Sequence, residues 1–415
     1  MHLFTSKFVT RPEYVKELPG SVSTPRGFGA SGIAAGLKKS GKLDLGLLVS
    51  KAPCKSAALY TPNAAAAAPV QVCRQETSKA AIQGIVVNSG SANACTGEDG
   101  LADARRMVEL TSRAMGIPKE LVAVASTGVI GHKIPMNLIE KGIEAAAISM
   151  SEFGGSEFSE AIRTTDKIEK HGAVEVELSA GTVLIGACAK GAGMIAPNMA
   201  TLLSFVTSDV DAPSGLLQEL LKVAAARSFN SMSVDGDMST NDCLFLMANG
   251  MSGVKLEPGS DDTKLFASAL EAVCKGLALK MVADGEGATK VVSLNVKGAA
   301  SDEEAVFVAR AVSNSPLVRT AFYGRDANWG RLMASAGAAL AGEPALDADI
   351  YYEEICLARS GAANPDPVDE QRLKSIMLQP EIRVTLDLNR GEHEHTMYFS
   401  DLTHDYVTLN AEYTT

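Results

Sequence analysis

Short apolar runs alternate with amphipathic segments of helical length along the whole chain, and that alternation restricts it to a mixed α/β architecture. Leu45–Ser50, Ile85–Val87 and Leu121–Val124 read as strands, while Leu101–Met115, Met136–Met150 and Leu216–Ala226 carry helical spacing. Val174–Leu178 and Thr182–Ile185 flank Ser179-Ala-Gly181 and predict a hairpin. The second half repeats the pattern, with strands at Cys243–Met247 and Val291–Val296 and helices at Thr263–Leu279 and Asp302–Ser313. Glu381–Leu388, His395–Phe399 and Tyr406–Leu409 complete a terminal strand cluster, and Gly361–Val368 reads as the one clear linker. At 415 residues the chain has room for two ordinary domains, and two α/β halves sharing a core are expected.

Composition narrows the function classes. Hydrophobic residues at 46% support a sizeable core, and aromatics at 5% with a single Trp leave little for base stacking. The net charge of −11 opposes nucleic acid and anionic membranes as partners. Seven scattered cysteines without a C-x-x-C pair suit neither a disulfide framework nor a zinc knuckle. Lys7, Arg11 and Glu13 interrupt the first residues before any long apolar segment forms, and no stretch reaches the ~18 apolar residues of a membrane span. A cytoplasmic protein is expected, with no metal and no cofactor.

Several motifs compete for the chemistry. Gly27–Gly32 matches G-x-G-x-x-G, but Thr24-Pro25-Arg26 precedes it where a dinucleotide site needs a strand, so a glycine-rich turn is expected. Asp235–Asp242 resembles a calcium loop, but Thr240 and Leu246 stand where an EF-hand needs glycine and glutamate. A polar, hydrogen-bonded loop near something important remains. Val124–Gly131 runs from a strand into a glycine turn, which either ends the strand at Gly128 or points a hydroxyl and an N–H at one oxyanion.

The tract Lys190-Gly-Ala-Gly-Met-Ile-Ala-Pro-Asn-Met-Ala-Thr201-Leu-Leu203 carries the most information. Threonine before a hydrophobic run is ordinarily a strand residue. It gains a special chemistry only if the Ala200–Thr201 bond is cut, because a new N-terminal threonine holds a nucleophilic hydroxyl and a basic amine together. Such a nucleophile needs no histidine, and this chain has six.

This tract strongly resembles the self-cleaving centre of the glutamate N-acetyltransferase (ornithine acetyltransferase) family of arginine biosynthesis. Val87–Gly97, Ser126–Gly131, Thr164–Asp166, Ser233–Asp242, Gly285–Lys290, Asp326–Arg331 and Asn410–Thr415 are similar to the family's other blocks, in order, across roughly residues 20–415. The resemblance implies cleavage between Ala200 and Thr201, giving chains of residues 1–200 and 201–415 in an α₂β₂ heterotetramer. It implies Thr201 as nucleophile, Thr127 and Gly128 as the oxyanion hole, and Thr164, Lys190, Thr201, Glu286, Asn410 and Thr415 as substrate contacts. The implied reaction passes acetyl from N²-acetylornithine to glutamate through acetyl-threonine, with acetyl-CoA as a further donor in bifunctional members. The implied fold is a layered α/β body with sheets packed between helices. Two rival readings stay open on the residues alone: an N-terminal-nucleophile amidohydrolase or aminopeptidase that passes the acyl group to water, and a non-enzymatic small-molecule binder.

Overall fold

The computed structural model describes residues 2–196 and 202–412. Among them the strands form three sheets. The four-stranded sheet has the order Phe28–Ile33 (β2), Leu45–Ser50 (β3), Gly84–Ser91 (β5) and Val122–Val129 (β6). Ala68–Glu76 (α1), Gly97–Met115 (α2), Met136–Ile148 (α3) and Gly155–Ala161 (α4) pack with it. The six-stranded sheet has the order Val15–Leu18 (β1), Lys170–Leu178 (β7), Gly181–Lys190 (β8), Leu203–Ser208 (β9), Cys243–Ala248 (β11) and Lys55–Tyr60 (β4). Ser214–Ala226 (α5) and Asp261–Ala283 (α6) cover its outer face.

The period-two pattern of β11 explains this layering. Cys243, Phe245 and Met247 enter a core shared with the four-stranded sheet, whereas Leu244 and Leu246 enter the core beneath α5 and α6. In the shared core Phe205 stacks on Phe245 at 5.8 Å between centroids, and Phe158 of α4 meets Phe205 edge-on at 5.0 Å. The expected arrangement of sheets between helical layers is present.

The third sheet joins Met232–Ser233 (β10), His393–Ser400 (β17), Val291–Ala299 (β12), Glu381–Asp387 (β16), Asp349–Tyr352 (β13), Ile355–Arg359 (β14) and Ala362–Ala363 (β15). With Asp302–Asn314 (α7), Pro316–Tyr323 (α8), Trp329–Ala339 (α9) and Glu370–Leu378 (α10) it encloses a separate core drawn from residues 292–399. Residues from both halves of the chain share the two inner cores, one of which also takes Val291 and Tyr398 from the third sheet, and residues 292–399 add a layer with a further core of its own. Gly361–Val368 is a connection inside that layer: Gly361 turns at φ +74° and Ala362–Ala363 pairs with β14.

Two local expectations are overturned. Only Gly27 of the Gly27–Gly32 motif turns, at φ +78°, and the rest is not a turn because β2 runs through Phe28–Gly32. A Cβ on Gly32 would stand 2.0 Å from the carbonyl oxygen of Glu157 in α4, so the glycine admits a helix backbone against a strand. Tyr406–Leu409 is not a strand either; it lies in the helix His404–Glu412 (α11), none of whose residues is buried. By contrast β7 and β8 form the expected hairpin, paired from Lys170–Ala189 to Leu178–Gly181. No helix among the described residues is long and apolar enough to cross a membrane.

Two neighbouring strands of one ladder bracket residues 191–202. β8 ends at Lys190, which pairs with Leu203 at the start of β9, and Ile185 pairs with Ser208 at the far end.

Candidate active site

The parallel pair β5–β6 carries a bulge. Ser89 faces Thr127, Gly90 faces Gly128, and Ser91 then pairs with both Thr127 and Val129. Gly128 sits at φ +133°, and a Cβ there would stand 2.4 Å from the carbonyl carbon of Gly90. Gly128 therefore does not end the strand; it lets two backbones close on each other while β6 continues to Val129. Side-chain amides brace the bulge. Asn88 Nδ2 donates to the Ser91 carbonyl at 3.0 Å, and Asn241 Nδ2 donates to the carbonyls of Ala92 at 2.6 Å and Ser126 at 2.8 Å.

Lys190 closes β8 with its side chain buried. Its Nζ donates to Thr164 Oγ1 at 2.8 Å and to Thr127 Oγ1 at 3.2 Å. Burial lowers the ammonium's pKa, and the charge of Asp166 pulls the other way. Because Thr127 accepts from Lys190, its own hydroxyl hydrogen is free to donate to a third group.

The loop from Asp235 to Asp242 grips the chain on both sides of residues 197–201. Asp235 accepts from Met194 N at 2.6 Å and from Ile195 N at 2.8 Å, and Asp242 accepts from Leu202 N at 2.7 Å. Burial raises the Asp235 carboxyl to about 6 despite these N–H contacts. Asp242 is buried completely, which holds its carboxyl well above the ordinary carboxylate range.

Glu286 sits on the turn after α6, fixed by its N–H to the Ala192 carbonyl at 2.8 Å. Asn410 of α11 donates to Glu286 Oε2 at 2.9 Å. Thr403 Oγ1 receives Tyr406 N at 3.2 Å and donates to the Gly287 carbonyl at 2.9 Å, which ties the start of α11 to the same turn.

Thr127, Gly128, Thr164, Lys190, Glu286 and Asn410 line a single cavity of about 230 Å³. These positions come from widely separated parts of the sequence. Ala200, Thr201 and Thr415 lie outside the described residues. Gly193 and Met194, just before the segment that contains Thr201, line the cavity as well. One wall carries the Lys190 ammonium, and Asp235, Asp237 and Glu286 supply carboxylates elsewhere. A small molecule with both a carboxylate and an ammonium matches that distribution of charge. Among the described residues no His, Cys, Asp and Glu side chains converge as a metal site.

Sequence reasoning flagged the loop containing Asp235 and Asp242 but assigned neither residue a contact. It missed Tyr406, which also lines the cavity, because the segment reads as a strand. The Thr403-His-Asp405 start offered a helix-cap signal that the alternation of Tyr406–Leu409 concealed.

A model of the ArgJ family matches residues 29–415. The arginine biosynthesis bifunctional protein ArgJ of Symbiobacterium thermophilum is 46% identical over 401 residues, covering 96% of this chain and 99% of that protein. The protein of the same name from Dehalococcoides mccartyi is 43% identical and covers 95% of this chain and 98% of its own length. A crystal structure of arginine biosynthesis bifunctional protein ArgJ from Bacillus halodurans is 44% identical, with a TM-score of 0.42, covering 45% of this chain and 98% of that one.

Proposed function

The chain belongs to the ArgJ family, a family of acyltransferases, and from that premise we propose that it transfers acetyl from N²-acetylornithine to glutamate through an ester on Thr201. The observation that carries the reading is the convergence of Thr127, Gly128, Thr164, Lys190, Glu286 and Asn410 on one cavity that Gly193 and Met194 also line.

In the proposed maturation, Thr201 Oγ attacks the Ala200 carbonyl carbon and converts the peptide bond to an ester. Water then hydrolyses that ester, leaving an Ala200 carboxylate and a free Thr201 amine. The products are residues 1–200 and 201–415, which we take to assemble as α₂β₂. In transfer, Thr201 Oγ attacks the acetyl carbonyl of N²-acetylornithine while its own amine takes the hydroxyl proton. The Thr127 hydroxyl and the Gly128 N–H hold the developing oxyanion. Ornithine leaves with a proton on its α-nitrogen, and the unprotonated α-amine of glutamate then attacks the acetyl ester and regenerates Thr201.

Lys190 would pair with a substrate carboxylate and Glu286 with an ammonium. The word "bifunctional" in the relatives' names supports acetyl-CoA as a second donor, loading the same threonine from a thioester.

Incubation with N²-acetylornithine and labelled glutamate should yield labelled N-acetylglutamate, with parallel initial-rate lines. Acetate forming equally fast without glutamate would contradict the transfer reading and favour a hydrolase. An intact-mass spectrum should show a fragment beginning at Thr201, and native mass spectrometry should show the tetramer.

A further inference from the structure

Behind the cavity wall lies an ion cluster that the proposed chemistry does not use. The side chains of Lys170 and Asp166 are fully buried, and that of Asp284 is 4% exposed. Lys170 Nζ donates to Asp166 Oδ1 at 2.7 Å and to Asp284 Oδ2 at 2.6 Å. Each carboxylate also grips backbone. Asp166 accepts from Gly191 N at 2.7 Å and from Thr164 N at 3.1 Å. Asp284 accepts from Lys167 N at 3.0 Å and from Ile168 N at 3.3 Å.

The geometry points to Lys170 as a positioning residue that keeps Asp166 engaged, so that the Lys190 ammonium stays open to a substrate carboxylate. This inference rests on the proposed role of Lys190. Three features support it. Lys190 bonds to the hydroxyls of Thr127 and Thr164 and to no carboxylate among the described residues. Asp166 already has both oxygens occupied, by Lys170 and Gly191 N on one and Thr164 N on the other. Burial would raise the Asp166 carboxyl, but Lys170 and then Lys190 hold it well below the usual range, so both cations feel this one carboxylate.

Removing the Lys170 ammonium leaves a buried carboxylate short of its partner. Lys190 is the cation within its field, and its capture by Asp166 would close it to substrate. The cluster also ties together the segments bearing Thr164, Lys190 and Glu286. Asp166 bonds to the backbone of the first two segments, and Lys170 links it to Asp284, two residues before Glu286.

The test compares wild type, Lys170→Met and the double variant Lys170→Met with Asp166→Asn, in the acetyl-exchange assay with active sites titrated. Lys170→Met should raise KM for N²-acetylornithine and glutamate at least about tenfold while kcat per active site changes by less than about threefold. The double variant removes the competing carboxylate and keeps one carbonyl acceptor for Gly191 N–H, so KM should return to within about threefold of wild type. A packing role alone would lower the active fraction or kcat with KM unchanged, and that result overturns the inference. So does a double variant no better than the single one. If Lys170→Met is not recovered soluble, the double variant decides: near-wild-type KM supports the inference, and a raised KM or insoluble protein overturns it. Wild-type enzyme that exchanges no acetyl group refutes the proposed function and the inference with it, whereas normal exchange with an unmoved KM in Lys170→Met refutes the inference alone.

Discussion

Leu202 donates its backbone N–H to the buried carboxyl of Asp242 at 2.7 Å, which fixes the chain one residue beyond the proposed cleavage point. Burial holds that carboxyl well above the ordinary range, which favours its neutral form. Asp242→Asn keeps a carbonyl acceptor in a side chain of the same shape and should cleave nearly as fast as wild type. Asp242→Ala removes the acceptor and should slow self-cleavage by ~10–100-fold, the cost of loosening a near-attack geometry. A denaturing-gel time course measures both rates. Alanine and wild type processing at equal rates would show that the bond has no part in the cut.

Thr127 accepts from Lys190 and so has its hydroxyl hydrogen free for an oxyanion. Thr127→Ala should lower kcat by ~10²–10³ with a smaller change in KM, as loss of one oxyanion donor does. Thr127→Ser should keep much of the activity. Steady-state kinetics that leave the alanine variant at wild-type turnover would reduce Thr127 to a bulge residue.

Asp235 gives a pH dependence whose sign is fixed. Burial raises its carboxyl from 3.8 to about 6, so the folded chain holds this proton more tightly than the unfolded one. Its contribution to stability is complete below the unfolded value and is lost as pH rises through about 6. Asp235→Ala has no such titration. The stability advantage of wild type over this variant should therefore shrink between pH 4 and pH 7, by on the order of 2–3 kcal/mol. Urea unfolding of both proteins at matched pH values measures the difference. An advantage that stays flat or grows with pH contradicts the buried assignment.

Asn410 reaches Glu286 from a helix with no buried face, so the contact contributes little to folding and its loss should be felt by the ligand. Asn410→Ala should leave self-cleavage unchanged and raise KM for the amino-acid substrate several-fold. A C-terminal tag, compared with an N-terminal one, should act in the same direction. Equal kcat/KM values in the exchange assay would remove the chain end from the site.

How much of this was legible in the sequence depends on what each residue faces. The β7–β8 hairpin was readable because Val174, Val176 and Leu178 are buried on one side while turn residues intervene. Gly27–Gly32 misled because helix α4, not a side chain, fills the space over β2, and the sequence at that position records only the absence of a Cβ. Tyr406–Leu409 misled for the opposite reason. α11 is unburied all round, so no apolar stripe marks its period. Among the site positions, Thr127, Lys190 and Glu286 stood out through motif resemblance. Lys170 and Asp284 did not, because a buried ion pair spanning more than a hundred residues leaves no local pattern.

The pairing of Lys190 with Leu203 makes the proposed cut nearly silent in shape but not in kinetics. Before it, β8 and β9 close a short loop, and ladder formation is a first-order event at any concentration. Afterwards the same ladder joins two molecules. A processed enzyme that is fully unfolded would have to re-form its central sheet by collision, at a rate that falls with dilution, whereas the uncut precursor would refold independently of concentration. The order of operations in synthesis, folding first and scission second, would then be what spares the cell a search between separate halves.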